Sequence, residues 1–161
     1  QHRIAMIRAA VVDSPGLGCD SREINRLGPS FTVDTLLELR EENGPDCPLI
    51  WIIGADVLET LSKWSRWEAL LSLAHFVVLA RPGAQSFPSE VVAWLSQHAA
   101  ERKTLMKRPA GGVLLMDQPP LNIASSNIRE LLEAGRDVRC LIPRAVMEYI
   151  QKHGLYGCRT Q

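Results

Sequence analysis

The sequence predicts an α/β fold of the doubly wound class, a parallel sheet with helices on both faces. Three observations predict it. Short uninterrupted apolar runs rich in β-branched and aromatic residues occur at 49–53, 75–80 and 113–116, as strands buried on both faces require. Stretches with apolar residues every three or four positions separate them, as amphipathic helices would. Glycine and proline pairs punctuate each change of type, and no repeat or low-complexity tract interrupts the order. In this class ligands lie beyond the carboxyl ends of the strands, which directs attention to Gly54-Ala55-Asp56, Arg81 and the loop leading to Ser126.

Ile4, Ile7, Val11 and Val12 stand at helical spacing, so residues 3–13 read as a helix that Pro15-Gly16 breaks. A polar stretch with Ser21, Arg22, Glu23 and Asn25 leads to the turn Gly28-Pro29-Ser30. Thr32 is expected to cap a helix through Val33, Leu36, Leu37 and Leu39, closed by Asn43-Gly44-Pro45. The run Leu49-Ile50-Trp51-Ile52-Ile53 is the first strand, ends at Gly54, and is expected to be buried on both faces. Val57 to Leu73 carries apolar residues every three or four positions, with Trp64 and Trp67 on one helical face. The second strand, His75 to Ala80, stops before Pro82-Gly83, and an amphipathic piece around Val91 to Leu95 follows. Gly111-Gly112 and Pro119-Pro120 bound the third strand, Val113 to Met116. A helix from Ser126 to Ala134 is stopped by Gly135, and Pro143 opens a last helix through Val146, Tyr149 and Ile150 to Gly154.

A chain of 161 residues is the size of one domain with its own core, so residues 1–161 are expected to form a single domain. Lys plus Arg number 18 and Asp plus Glu number 18, so no positive field draws in a nucleic acid or an anionic membrane. No stretch approaches the ~20 apolar residues of a membrane helix. Any anion must therefore be held by a few placed groups. Cys19, Cys47, Cys140 and Cys158 form no C-x-x-C pair and read as reduced thiols of a cytoplasmic protein. Residues 1–13 lack the pattern of a secretory signal and do not open on methionine, as expected of a cytoplasmic chain without its true beginning. His2, His75, His98 and His153 have no ligand spacing, so no metal site is expected and His75 reads as structural. No G-x-S-x-G, H-E-x-x-H or G-x-x-x-x-G-K-[ST] occurs, which removes the common hydrolase, zinc-protease and P-loop readings.

Asn122-Ile123-Ala124-Ser125-Ser126-Asn127-Ile128-Arg129 sets two hydroxyls at a helix start and an arginine three residues beyond the second. Free N–H groups and the helix dipole favour an anion there, and arginine adds a planar fork suited to phosphate. An ordinary capped helix with a solvated arginine is the alternative. At Gly54-Ala55-Asp56 the glycine lets a ligand approach the backbone and the aspartate can accept from ribose hydroxyls, or else caps a helix. Trp64 and Trp67 read as core packing or as a flat surface for an aromatic ring. Arg81, at a strand end, needs either an anion or a carboxylate partner.

Gly28-Pro29-Ser30-Phe31-Thr32-Val33-Asp34-Thr35-Leu36, Ile52-Ile53-Gly54-Ala55-Asp56, Trp64-Ser65-Arg66-Trp67, Ala80-Arg81-Pro82-Gly83 and Ile123 to Arg129 together closely resemble bacterial nicotinate-nucleotide adenylyltransferases. The ending, Ile142-Pro143 to Gly154-Leu155-Tyr156, is similar to theirs too. The resemblance implies a Rossmann-like fold of the nucleotidyltransferase type. It implies AMP transfer from ATP to nicotinate mononucleotide, giving deamido-NAD and pyrophosphate in NAD biosynthesis, with Mg²⁺ accompanying ATP. By position, Thr32, Gly54, Asp56 and Trp64 would bind the nicotinate nucleotide, with Trp64 stacking on the pyridine. Ser125, Ser126 and Arg129 would bind ATP phosphates, and Arg81, Ser126 and Arg129 would carry catalysis.

The chain departs from the family pattern at Ala124, where the family has serine. The family also opens on a strand and a glycine-rich turn with an H-x-x-H-type motif, and no such motif stands in these residues. The sheet is therefore expected to be N-terminally incomplete, with a gap, and the ATP site to lack its imidazoles. An adenylyltransferase for another acceptor, nicotinamide mononucleotide or phosphopantetheine, and a non-catalytic nucleotide-binding domain are the competing readings. Neither nucleic acid nor membrane is an expected partner. The assembly state is open, a homo-oligomer among the options.

Overall fold

A computed structural model of the chain describes residues 1–80, 86–117 and 123–158. They fall into two compact units, Arg22–Leu121 and Gln1–Ser21 with Asn122–Gln161.

In the larger unit, β1 (Ile50–Gly54), β2 (His75–Ala80) and β3 (Val113–Asp117) pair as one parallel sheet in the order β1-β2-β3. Ile52 lies opposite Val77, and Val78 opposite Leu115. The described strands pair consecutively, so the expected gap does not fall among them, and β1 stands at one edge. Side chains alternate across a strand. Ile53, Phe76, Val78 and Val113 therefore share one face, and all four are buried. On that face they pack with Val33 and Leu36 of the helix Thr32–Asn43, Leu58 and Leu61 of the 3₁₀ segment Ala55–Lys63, and Val91 and Trp94 of the helix Ser89–Gln97.

The expectation that the strands are buried on both faces is corrected at β3, where Leu115 is 55% exposed, and at β1. Ile50 and Ile52, which alternate with Trp51 and Ile53, are 41% and 63% exposed. An apolar run marks a strand, yet it cannot report how many layers cover it. β2, flanked by a strand on either side, is buried over its first four residues as expected.

Two more expectations are corrected by backbone geometry. Phe31, extended at φ −114° and ψ 141°, is the N-cap of the helix that starts at Thr32, so Thr32 does not cap it. Trp64 and Trp67 do not share a helical face. Trp64 is extended (φ −72°, ψ 146°), Arg66 is left-handed (φ 50°, ψ 39°), and a new 3₁₀ turn, Trp67–Ala69, begins only after them.

Helices Arg22–Asn25, Leu70–Leu73 and Arg102–Leu105 complete the larger unit, and two polar devices fasten it. Arg40 Nη1 donates to the carbonyls of Gly44 at 3.1 Å and Cys47 at 2.5 Å, while Nη2 donates to those of Leu73 at 2.5 Å and Pro109 at 2.9 Å. One guanidinium thus ties the end of its own helix to the loop before β1, the end of the helix Leu70–Leu73 and the loop before β3. His75 is structural, as expected: Gly112 N–H donates to Nδ1 at 2.9 Å, which leaves Nε2–H to donate to the Arg108 carbonyl at 2.8 Å. A Cβ on Gly112 would lie 2.9 Å from Ala100 Cβ and Leu105 Cδ2 and 3.0 Å from His75 Nδ1. Gly112→Ala is expected to destabilise the protein by roughly 1–3 kcal/mol through overpacking, read as a lowered midpoint in denaturant at unchanged slope.

The smaller unit packs the helix His2–Val11 against Arg144–Lys152, with Ser125–Glu133 and the 3₁₀ turn Leu155–Gly157 alongside. Leu132, Val138, Val146 and Ile150 form its core, joined by Met6, Ala9, Ala10 and Ile128. Gly135 ends the helix Ser125–Glu133 at φ +67°, the left-handed stop expected there. All four cysteines are free thiols.

Candidate active site

Thr32, Gly54, Asp56 and Trp64 belong to the larger unit, and Ser125, Ser126 and Arg129 to the smaller. Arg81 lies outside the described residues.

In the larger unit, Gly54 closes β1 and Asp56 enters the first 3₁₀ turn. Gly54 has ordinary extended angles (φ −76°, ψ 152°), so backbone freedom is not what glycine supplies here. A Cβ at this position would lie 2.3 Å from Asp56 Oδ1. The missing side chain is the room in which the Asp56 carboxylate lies against the strand end. That carboxylate is exposed at the carboxyl end of the sheet, where the fold class places ligands.

The Trp64 side chain is half-buried against the core, and the backbone N–H of the residue donates to the Leu61 carbonyl at 3.0 Å. Trp67 is half-buried against the same core, its ring 6.5 Å from that of Trp94. Between them the left-handed Arg66 sends its guanidinium to the Asp34 carboxylate, two residues past Thr32. This ion pair fastens the start of the Thr32 helix to the turn that carries Trp64.

Sequence reasoning missed the buttress behind that helix start. Arg26 donates to Ser30 Oγ at 2.6 Å and Glu38 Oε1 at 2.6 Å, and the buried Thr35 hydroxyl donates to Glu23 Oε1 at 2.7 Å. Arg22 reaches Glu42 at 2.9 Å. The signal was available: Thr35, Glu38 and Glu42 recur at three and four residues on one helical face, opposite a stretch holding Arg22, Glu23 and Arg26.

In the smaller unit, Ala124 is the N-cap (φ −124°, ψ 148°), so neither serine caps the helix and Ser125, not Ser126, opens it. Both serines are exposed. Arg129 Nε donates to the Ser125 carbonyl at 3.0 Å, which folds the guanidinium back towards the helix N-terminus and its free N–H groups. Ser125 and Arg129 line a cavity of about 640 Å³ together with Arg3, Met6, Val146 and Tyr156, among others. Among the described residues no carboxylate lines it. Ser126 points elsewhere, its Oγ 3.4 Å from Asn127 Oδ1. On the loop after this helix, Arg139 donates to Asp137 and holds its carboxyl down at about 2, so the two charges satisfy each other at the surface.

Residues 1–131 match the cytidylyltransferase-like family model. A probable nicotinate-nucleotide adenylyltransferase of Aeromonas salmonicida is 45% identical over 158 residues, covering 97% of this chain and 73% of the relative. The chain belongs to the nicotinate-nucleotide adenylyltransferase family. A second such relative, from Hahella chejuensis, is 44% identical over 160 residues, covering 98% of this chain and 73% of its own. Among solved structures, Plasmodium falciparum nicotinic acid mononucleotide adenylyltransferase complexed with APC superposes at a TM-score of 0.53 and 20% identity. The alignment covers 83% of this chain and 62% of that one. The same enzyme complexed with NaAD gives a TM-score of 0.52 at 21% identity. These likenesses place this member of the family in the Rossmann-like nucleotidyltransferase fold that the sequence predicts.

Proposed function

We propose that the protein transfers AMP from ATP to nicotinate mononucleotide, giving deamido-NAD and pyrophosphate in NAD biosynthesis, with residues 1–161 acting as one nucleotidyltransferase domain. The family relation supports the reaction class. The corner formed by Ser125, Arg129 and the free N–H groups of their helix carries the reading to this chain, because it offers an anion hydrogen-bond donors and, among the described residues, no competing carboxylate. The phosphate of nicotinate mononucleotide attacks the α-phosphorus. A new P–O bond forms, the α–β bridge breaks, and pyrophosphate leaves with the bridging oxygen. No protein nucleophile is needed, so catalysis is positioning and neutralisation of charge on phosphate oxygens.

In this proposal Ser125, Arg129 and, through its backbone N–H at the helix start, Ser126 hold the ATP phosphates, and Arg81, placed directly after β2 in the sequence, joins Ser126 and Arg129 in catalysis. Thr32, Gly54, Asp56 and Trp64 hold the acceptor, with the half-buried Trp64 indole against the pyridine. Mg²⁺ is proposed to arrive on the nucleotide. No group of three or more His, Cys, Asp or Glu among the described residues could hold a metal, and Mg²⁺ is commonly carried by substrate phosphates and water. No described helix is long and apolar enough to cross a membrane, and the cytoplasm is the proposed compartment.

The full-length protein, given MgATP and nicotinate mononucleotide, is expected to release pyrophosphate, with kcat/KM higher than for nicotinamide mononucleotide or phosphopantetheine. A preference for either alternative acceptor would move the assignment within the superfamily, and no release with any of them would end it. Trp64→Ala is expected to weaken nicotinate mononucleotide binding by about 1–3 kcal/mol, measured by calorimetry. Unchanged affinity would make Trp64 a packing residue only.

A further inference from the structure

We propose that Arg3 is a second polyphosphate-binding residue of the cavity that Ser125 and Arg129 line, contacting the nucleotide donor; this rests on the adenylyl-transfer reading. On the helix His2–Val11, the residues that line the cavity are Arg3, Met6, Ile7 and Ala10. Their spacing of three, four and seven is one stripe of an α-helix, so the stripe faces the cavity and Arg3 stands at its first turn. The apolar members lay a floor suited to a flat ring, and Arg3 sets a charge at the end of that floor.

Arg3 is exposed, and no hydrogen bond or ion pair engages it among the described residues. It shares its cavity with Arg129 and with no Asp or Glu among the described residues. Two guanidiniums around one space repel each other until an anion enters, and a polyphosphate carries enough charge and enough oxygens to satisfy both forks. Tyr156, also on the cavity wall, holds a left-handed backbone (φ 53°) that only a few non-glycine residues adopt. Arg8 lies on the same helix but outside the cavity lining, which makes it the matched control.

In the full-length protein, Arg3→Gln is expected to raise the KM for MgATP by about 10-fold or more while leaving the KM for nicotinate mononucleotide within about twofold. Arg3→Lys should recover part of the loss, since it restores the charge without the fork. Arg8→Gln should change neither constant. The thermal midpoint of Arg3→Gln should match the parent, because no partner among the described residues is lost.

Inorganic tripolyphosphate, titrated by calorimetry, separates this proposal from the reading beneath it. If no adenylyl transfer to nicotinate mononucleotide occurs, yet Arg3→Gln binds tripolyphosphate about 10-fold more weakly than Arg8→Gln does, Arg3 keeps its role and the acceptor assignment alone fails. Equal tripolyphosphate affinity in the parent and Arg3→Gln, or an unchanged KM for MgATP, overturns the proposal.

Discussion

Replacing Arg129 with alanine is expected to lower kcat/KM for MgATP by about 10²–10³-fold, the usual cost of deleting one preorganised donor to developing charge. In the proposed site the guanidinium is preoriented, because its Nε is committed to the Ser125 carbonyl at 3.0 Å, while no hydrogen bond engages its terminal nitrogens among the described residues. Its removal costs the fold little. Arg129 is exposed, and among the described residues its one side-chain hydrogen bond is to the helix it stands on, so stability should fall by less than about 1 kcal/mol. Steady-state kinetics and a thermal melt on the same preparation check both parts. A large loss of stability with turnover preserved would assign Arg129 to structure. Arg129→Lys should remain impaired, because an ammonium cannot present two parallel N–H bonds to a phosphate.

Arg40→Met is expected to have the largest effect on stability, about 3 kcal/mol, read as a fall of roughly 10 °C in Tm. The side chain donates to the carbonyls of Gly44, Cys47, Leu73 and Pro109, and methionine keeps much of its volume while removing every donor. Those carbonyls belong to half-buried residues that water cannot fully resolvate, so they lose a partner without a replacement. Lysine should not rescue, since a point charge on a single stem cannot reach out in two directions as the guanidinium does. A variant as stable as the parent would show that the loops hold themselves.

How much of this was legible in the sequence depended on whether the governing interaction was local. The strands were legible because an apolar run bounded by Gly54, or by Gly112 before Val113, is a local signal. The left-handed glycines Gly44 and Gly135 ended their helices as local chemistry requires. The 3₁₀ character of Ala55–Lys63 was written less plainly. Ala55, Leu58 and Leu61 are buried and stand three apart, a spacing that eclipses on a 3₁₀ turn and drifts around an α-helix. Counting those positions as three or four apart hid the difference.

The exposure of Ile50 and Ile52 was not legible, because coverage of a sheet face is decided by other segments. Nor was the Arg40 clamp, whose acceptors lie up to 69 residues away and are backbone carbonyls that any residue type carries. At the candidate site the residue types were legible from their order in the chain. The reason for Gly54 was not: the structure adds an intramolecular one, the Asp56 carboxylate lying where a Cβ would be.

Isotope tracing with the full-length protein tests the central claim, that the protein moves an adenylyl group. With ATP labelled at the α-phosphate, label is expected in deamido-NAD, and with ATP labelled at the γ-phosphate, in pyrophosphate. Label from the γ-position in inorganic phosphate or on the acceptor, with ADP as the other product, would contradict it.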